Sequence, residues 1–308
     1  MKNGRDLALN YLLLGAISLI WGTQFMLIER ANDTFPPFTM AACRFSFGAL
    51  TITLLLPFLG RKQQEMKPAW PGWKLWCAAF IVACFDGTIP FTCLPFGERH
   101  VPSDVASIFM GLTPIFTLVF AWLLVPGERF TWQSVLSLAL GMLGIILLVG
   151  FRDAEDIVAN LVAEGAILLA AASLAFALVL LRMLPRGNAI WKTYLMLICA
   201  AIQAMILAFI FEDPLNIEPT AEAWLLVVVM GILPSATVTL LYVLLTDRAG
   251  PTFTALNNYV VPLVAVFAGI VLLGNTIEAS TWIALGVILA AMAVKELRLP
   301  QREPAQQS

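Results

Sequence analysis

Asp86 stands inside an apolar run, IVACFDGTIPFTCLPF (residues 81–96), with Gly87 beside it and Pro90 four residues on. Glycine weakens a helix, and proline removes a backbone donor and clashes with the preceding turn. A carboxylate at membrane depth costs roughly 2.5–3.5 kcal/mol on insertion scales, so it should face a cavity or a partner rather than lipid. Three roles are open to Asp86. It pairs with Arg44 or caps interrupted backbone, it meets a cationic substrate group such as an ammonium, or it carries a proton. Arg44, in AACRFSFGAL, is the only other charge deep in an early span, and it reads as snorkelling or binding backbone carbonyls.

Other polar and aromatic groups fall within apolar runs, where lipid cannot satisfy them and a shared interior can. They are Trp21 and Gln24 in WGTQF, Thr88 and Phe91 after Asp86, Ser107, Phe176, Ser235 and Thr237, and Asn257, Asn258 and Tyr259 in ALNNYVVP. These twelve, counted with Asp86, are the expected substrate-contacting residues. The adjacent amides either hydrogen-bond a substrate carboxylate or bridge neighbouring helices. Trp21 either stacks on an aromatic ligand or anchors its span at the interface. Ser and Thr within spans usually bond their own i−4 carbonyls, so each alone says little. Glu128 and Arg129 read as a loop ion pair or a helix cap.

The elements that must position these groups are membrane spans. Of 308 residues, 60% are hydrophobic and only 12% charged, against about 25% charged in soluble domains. Mean hydropathy is +0.88. The composition specifies an all-α polytopic membrane protein, and a net charge of −2 argues against nucleic acid as a partner. Five cysteines without a CxxC pair and a single histidine, His100, point to no disulfide frame, no metal and no cofactor. The N-terminal apolar run is too long for a signal peptide and reads as the first span.

About 20 apolar residues cross a core of about 30 Å. Windows of that kind predict ten spans, roughly 7–28, 37–59, 75–97, 103–124, 131–150, 161–183, 190–211, 222–246, 252–273 and 280–295. In the alternating loops 14 Lys and Arg residues fall on the side of both termini, against Arg30, Arg99 and Arg152 on the other. Positive charge marks the cytoplasmic side, so both termini are expected there.

The chain echoes itself at an offset of 148 residues: Trp76 falls on Trp224, Pro114 on Pro262, Asp86 on Pro234 and Gly87 on Ser235. Two units follow, 7–150 and 161–295, each of five spans. An odd number of spans inverts the second unit, giving two inverted five-helix repeats, an arrangement characteristic of transporters. Asp86 lies about 16 Å into its span, near the midplane, at the level where both units carry a Gly or Pro interruption. Such paired interruptions point to a substrate site.

Trp21-Gly22, the run Ala41-Ala42-Cys43-Arg44-Phe45, Pro114 with Glu128-Arg129 leading into Thr131-Trp132, and the echo at Pro262 and Glu278 carry a resemblance. On these residues the chain resembles the EamA family of the drug/metabolite transporter superfamily over essentially its whole length. It looks most like the bacterial aromatic amino-acid exporters. The second unit departs from the pattern at Thr276, which stands where the first has Glu128. The resemblance implies a bacterial inner-membrane exporter working by alternating access through a central cavity, with amino acids or related metabolites as substrates. Exporters of other neutral or amphiphilic metabolites or drugs are the alternative. An enzyme is not expected: His100 and Asp104 fall one residue short of the acyltransferase spacing, and no catalytic constellation accompanies them. With no lysine deep in any span and Arg44 the only arginine there, the cavity is expected to suit polyanions poorly. The expected partners are a small-molecule substrate and the lipid bilayer. Gly141 and Gly144 could serve close packing within the chain or the face of a homodimer.

Overall fold

The computed structural model describes residues 4–55, 58, 72–125, 132–149, 154–183, 189–249, 251–254, 256–274 and 279–296. Among them there is no strand. Glu128, Arg129, Thr131, Thr276 and Glu278, singled out from the sequence, lie outside the described residues.

The chain begins with α1 (Gly4–Ala31) and α2 (Pro37–Leu55). Next comes α3, which runs Gly72–Ala83, through a π-helical turn at Cys84–Thr88, to Ile89–Glu98. In α4, Ser103–Met110 and Thr113–Leu124 meet at a turn over Gly111 and Leu112. Then follow α5 (Trp132–Val149), α6 (Ala154–Met183) and α7 (Ala189–Phe211). A second π-helical turn, Gly231–Thr237, interrupts α8 between Ala221–Met230 and Val238–Ala249. After a single turn at Pro251–Thr254 come α9 (Asn257–Ala268, closing in a π turn at Gly269–Leu273) and α10 (Ala279–Glu296). Gly274 stops α9 at φ +73°, a conformation that glycine adopts without Cβ strain.

α1, α2, α3, α4, α6, α7 and α8 are long and apolar enough to cross a bilayer, whereas α5, α9 and α10 contribute shorter apolar stretches. Contacts at both ends show that α1, α3 and α7 finish, and α2 and α8 begin, at the same end of the bundle. Away from the N-terminus, Arg30 pairs with Glu222 at 3.4 Å and Asn32 Nδ2 donates to Pro95 O at 2.8 Å. At the N-terminal end, Arg248 reaches Asn10 at 3.4 Å and Asp6 at 3.2 Å. The free N–H groups that open α2 are met by a carboxylate from the end of α7: Phe38 N and Thr39 N donate to Glu212 at 3.0 and 2.7 Å.

In lipid, helices associate through close van der Waals packing, which small residues permit. Phe45, Ala49, Ala79, Ala83, Ala200 and Ala204 knit α2, α3 and α7 together. A larger cluster, with Phe25, Phe35, Met40, Leu94, Val101 and Phe109, closes the end remote from the N-terminus. A Cβ on Gly141 would meet Ile115 and Leu112, and one on Gly144 would meet Ile288, so both glycines pack within the chain. The main packing pairs are α5 with α10, α2 with α7, α3 and α4 with α6, and α8 and α9 with α1. Exchanging each helix with the one five places away leaves this set unchanged.

Candidate substrate cavity

The π-helical turns within α3 and α8 build the site. Moving Cys84–Thr88 by the 148-residue offset gives 232–236, inside Gly231–Thr237. Where the sequence suggested breaks, the helices continue with one wider turn, and side chains from neighbouring helices satisfy the backbone left over. At α3, Ser173 Oγ on α6 donates to Phe85 O at 2.9 Å. Gln203 on α7 donates to Phe80 O at 2.7 Å and accepts from Thr88 Oγ1 at 2.6 Å. At α8, Pro234 has no N–H to offer the carbonyl of Met230, and Ser235 Oγ takes it at 3.1 Å. Trp21 Nε1 on α1 donates to Pro234 O at 3.2 Å.

Between these turns lies a cavity of about 450 Å³. Eight of the twelve expected residues line it: Trp21, Gln24, Asp86, Phe91, Ser107, Ser235, Asn257 and Asn258. Toward the N-terminal end it reaches Leu181, Thr193 and Tyr242, close to where α6 finishes and α7 begins. Toward the other end it stops near Gln24, Arg44 and Ser107, below the apolar cluster.

Arg44 is the residue that the sequence underrated. It is 3% exposed, lines the cavity and crosses from α2 to three other helices. Nε donates to Ser235 Oγ at 2.8 Å, Nη2 donates to Gln24 Oε1 at 2.7 Å, and the guanidinium lies 4.2 Å from the Phe91 ring centre. Phe91 in turn packs edge-on against Phe45 at 5.5 Å. Asp86, of opposite charge, is half-buried on the same cavity and makes neither a hydrogen bond nor an ion pair among the described residues. The geometry therefore removes the pairing with Arg44 and the backbone cap from its three candidate roles, and the cavity-facing roles remain.

The asparagines divide. Asn257 is 2% exposed and accepts from Ser18 Oγ at 2.8 Å, bridging α9 to α1, while Asn258 is exposed at the cavity. Trp21 leans on Tyr242 at 5.4 Å, inside the bundle. Ser107 is directed to its own helix, donating to Asp104 O at 2.6 Å.

Three expected residues are placed away from the cavity wall. Thr88 is buried against Gln203, Thr237 bonds Ile232 O at 2.8 Å, and Phe176 is wedged edge-on between Phe85 at 4.8 Å and Phe120 at 5.5 Å. The side chain of Tyr259 lies outside the described ones. Among the described residues, no three His, Cys, Asp or Glu side chains cluster as metal ligands.

A family model for EamA-like transporters matches residues 8–150 and again 161–294. The chain belongs to the EamA-like transporter family. Its relatives include the uncharacterized inner membrane transporter YedA of Escherichia coli strain K12, 25% identical over 92% of this chain and 89% of the relative. The uncharacterized transporter YvbV of Bacillus subtilis strain 168 is 23% identical over 92% of this chain and 90% of its own length. Protein PagO of Salmonella typhimurium is 30% identical over 44% of this chain and 43% of PagO. A solved crystal structure superimposes with a TM-score of 0.64 over 94% of this chain and 96% of its own, at 21% identity, which speaks for the fold alone. The family makes this chain a transporter, and its apolar helices make it a multi-pass membrane protein.

Proposed function

We propose that this transporter exports amino acids, aromatic ones foremost, by alternating access between two inverted five-helix repeats. The observation that carries the reading is the cavity itself. It holds a carboxylate, Asp86, without a partner among the described residues, and a buried guanidinium, Arg44, between aromatic walls from Trp21, Phe45 and Phe91. Groups of both signs on an apolar wall suit a zwitterion with an aromatic side chain, where Asp86 would take the ammonium. A lone cation among the cavity residues does not suit polyanions.

The packing pairs that survive exchange of the two halves, and the π turns at equivalent positions, support the inverted-repeat mechanism. With both termini cytoplasmic, as the charge bias favours, the cavity faces the cytoplasm and the sealed end faces outward. That is the state from which an exporter loads. Proteoliposomes given labelled phenylalanine test the proposal. Wild type is expected to move it, and Asp86→Asn to lose at least tenfold in apparent affinity while retaining a wild-type melting profile. Equal transport by both would remove Asp86 from ammonium recognition, and no transport by wild type would overturn the choice of substrate.

A further inference from the structure

The sealed end of the bundle contains a carboxyl group with nothing to bond. Glu98, the last residue of α3, is 5% exposed, and neither of its oxygens has a hydrogen-bond partner among the described residues. It stands between Leu94 and Val101, both members of the apolar cluster that closes this end. One residue earlier the α3 backbone presses on α6, since a Cβ on Gly97 would collide with Ile167 and with the carbonyl of Ala163.

The charged groups on the elements packed against it do not neutralise it by contact. Glu29 on α1 and Arg44 on α2 both act on Glu98 electrostatically. Yet Glu29 accepts from Ser103 N at 3.0 Å, and Arg44 is engaged with Ser235 and Gln24. Arg30 pairs with Glu222, and Asp104 on α4 and Glu164 on α6 have interactions of their own. An ionised Glu98 would leave its acceptor sites empty beside a second carboxylate, and burying an unpaired charge costs far more than burying the neutral acid. Opening this end admits water, which removes that penalty.

We propose that Glu98 is a proton-binding site of the outer gate, occupied while the outer end is sealed and emptied to the outside as it opens. The assignment rests on the alternating-access reading above. Sealing then takes up a proton, so by linkage an acidic exterior favours the sealed, cytoplasm-facing state. An alkaline exterior favours the outward-open one. Asp86, in the cavity, is left for the substrate.

Infrared spectroscopy of the purified protein at neutral pH tests the first half without any substrate. Wild type is expected to show a protonated-carboxyl stretch that Glu98→Gln removes and Asp86→Asn leaves in place. Gln mimics the neutral acid, so the variant should melt no lower than wild type, and Glu98→Met serves as a second neutral replacement. If wild type lacks the band, or both variants at Glu98 retain it in full, the site assignment is overturned.

The second half is read from exchange of labelled phenylalanine across liposomes held at equal pH on both faces. As that pH is raised, the wild-type rate should change severalfold and the rate of Glu98→Gln should stay flat. A pH response that survives in Glu98→Gln overturns the gating role. Failure of wild type to exchange phenylalanine at any pH overturns the substrate reading instead, and the infrared result still decides Glu98.

Discussion

Gln203 shows how a single side chain can hold an irregular backbone at membrane depth. Its amide nitrogen donates to Phe80 O, one turn before the π turn of α3, and its amide oxygen accepts from Thr88 Oγ1 at the end of that turn. Replacement by leucine keeps the volume but removes both hydrogen bonds, and the buried Thr88 hydroxyl loses its Gln203 acceptor, at a cost of roughly 1–3 kcal/mol. Gln203→Leu is therefore expected to lower the melting temperature of the purified protein, and Gln203→Glu less so, because a carboxyl oxygen can still accept from Thr88. Equal melting of Gln203→Leu and wild type would mean that the π turn is held by packing alone. The sequence betrayed Asp86 because a charge in an apolar run stands out. It did not betray Gln203, whose worth depends on α7 lying against α3, a contact 115 or more residues away in the chain. Glu98 escaped notice for a related reason. At the end of a span it reads as interfacial, and only the packing of α1, α4 and α6 around it makes it buried.

At the scale of the element, hydropathy made the helices legible, and the offset of 148 residues located both irregular turns. The sequence could not distinguish a broken helix from a π turn. Gly87 and Pro90 signal weakness in either case, and the outcome depends on whether neighbours such as Ser173 can take the freed carbonyl. Which faces of the helices meet was equally hidden, and the glycines now specify it. A Cβ at Gly97 would strike both a flexible side chain, Ile167, and a fixed carbonyl, Ala163 O. Gly97→Ala should therefore destabilise by about 1–3 kcal/mol, the usual range for overpacking. Adding Ile167→Ala should recover only part of the loss, because the carbonyl remains. At Gly15, by contrast, an added Cβ would meet nothing within 4 Å, so Gly15→Ala is expected to be neutral or stabilising by up to about 1 kcal/mol through helix propensity. Melting curves of the four proteins check the order. Full recovery in the double variant would show that α3 and α6 have room to separate.

For the whole molecule, the cavity has one closed end and one end that reaches the tips of α6 and α7. The closed end combines the apolar cluster of Phe25, Phe35 and Phe109 with the contacts Arg30–Glu222, Asn32–Pro95 and Glu212–Thr39. Among the described residues, the other end is tied by Arg248, which meets Asn10 and Asp6. Surface ion pairs of this kind contribute about 0–1 kcal/mol each, so the balance between closed and open ends is set mainly by the buried cluster. Leu178 and Thr193 lie on the cavity wall toward the N-terminal end, and cysteines placed there in a background with the five native cysteines replaced by serine report which face is open. A thiol reagent that cannot cross the bilayer should label Leu178→Cys and Thr193→Cys from the cytoplasmic face of inverted vesicles. It should do so at least tenfold more slowly from the outer face of right-side-out vesicles. Saturating phenylalanine should slow the cytoplasmic reaction, both by occupying the wall between Trp21 and Phe91 and by drawing molecules toward the outward-open state, where these positions are buried. Labelling that is equal from both faces would mean a continuous pore, for which two halves exchanging one closed end are unnecessary. Labelling only from the outer face would reverse the assigned orientation, and with it the direction in which the sealed end at Glu98 looks.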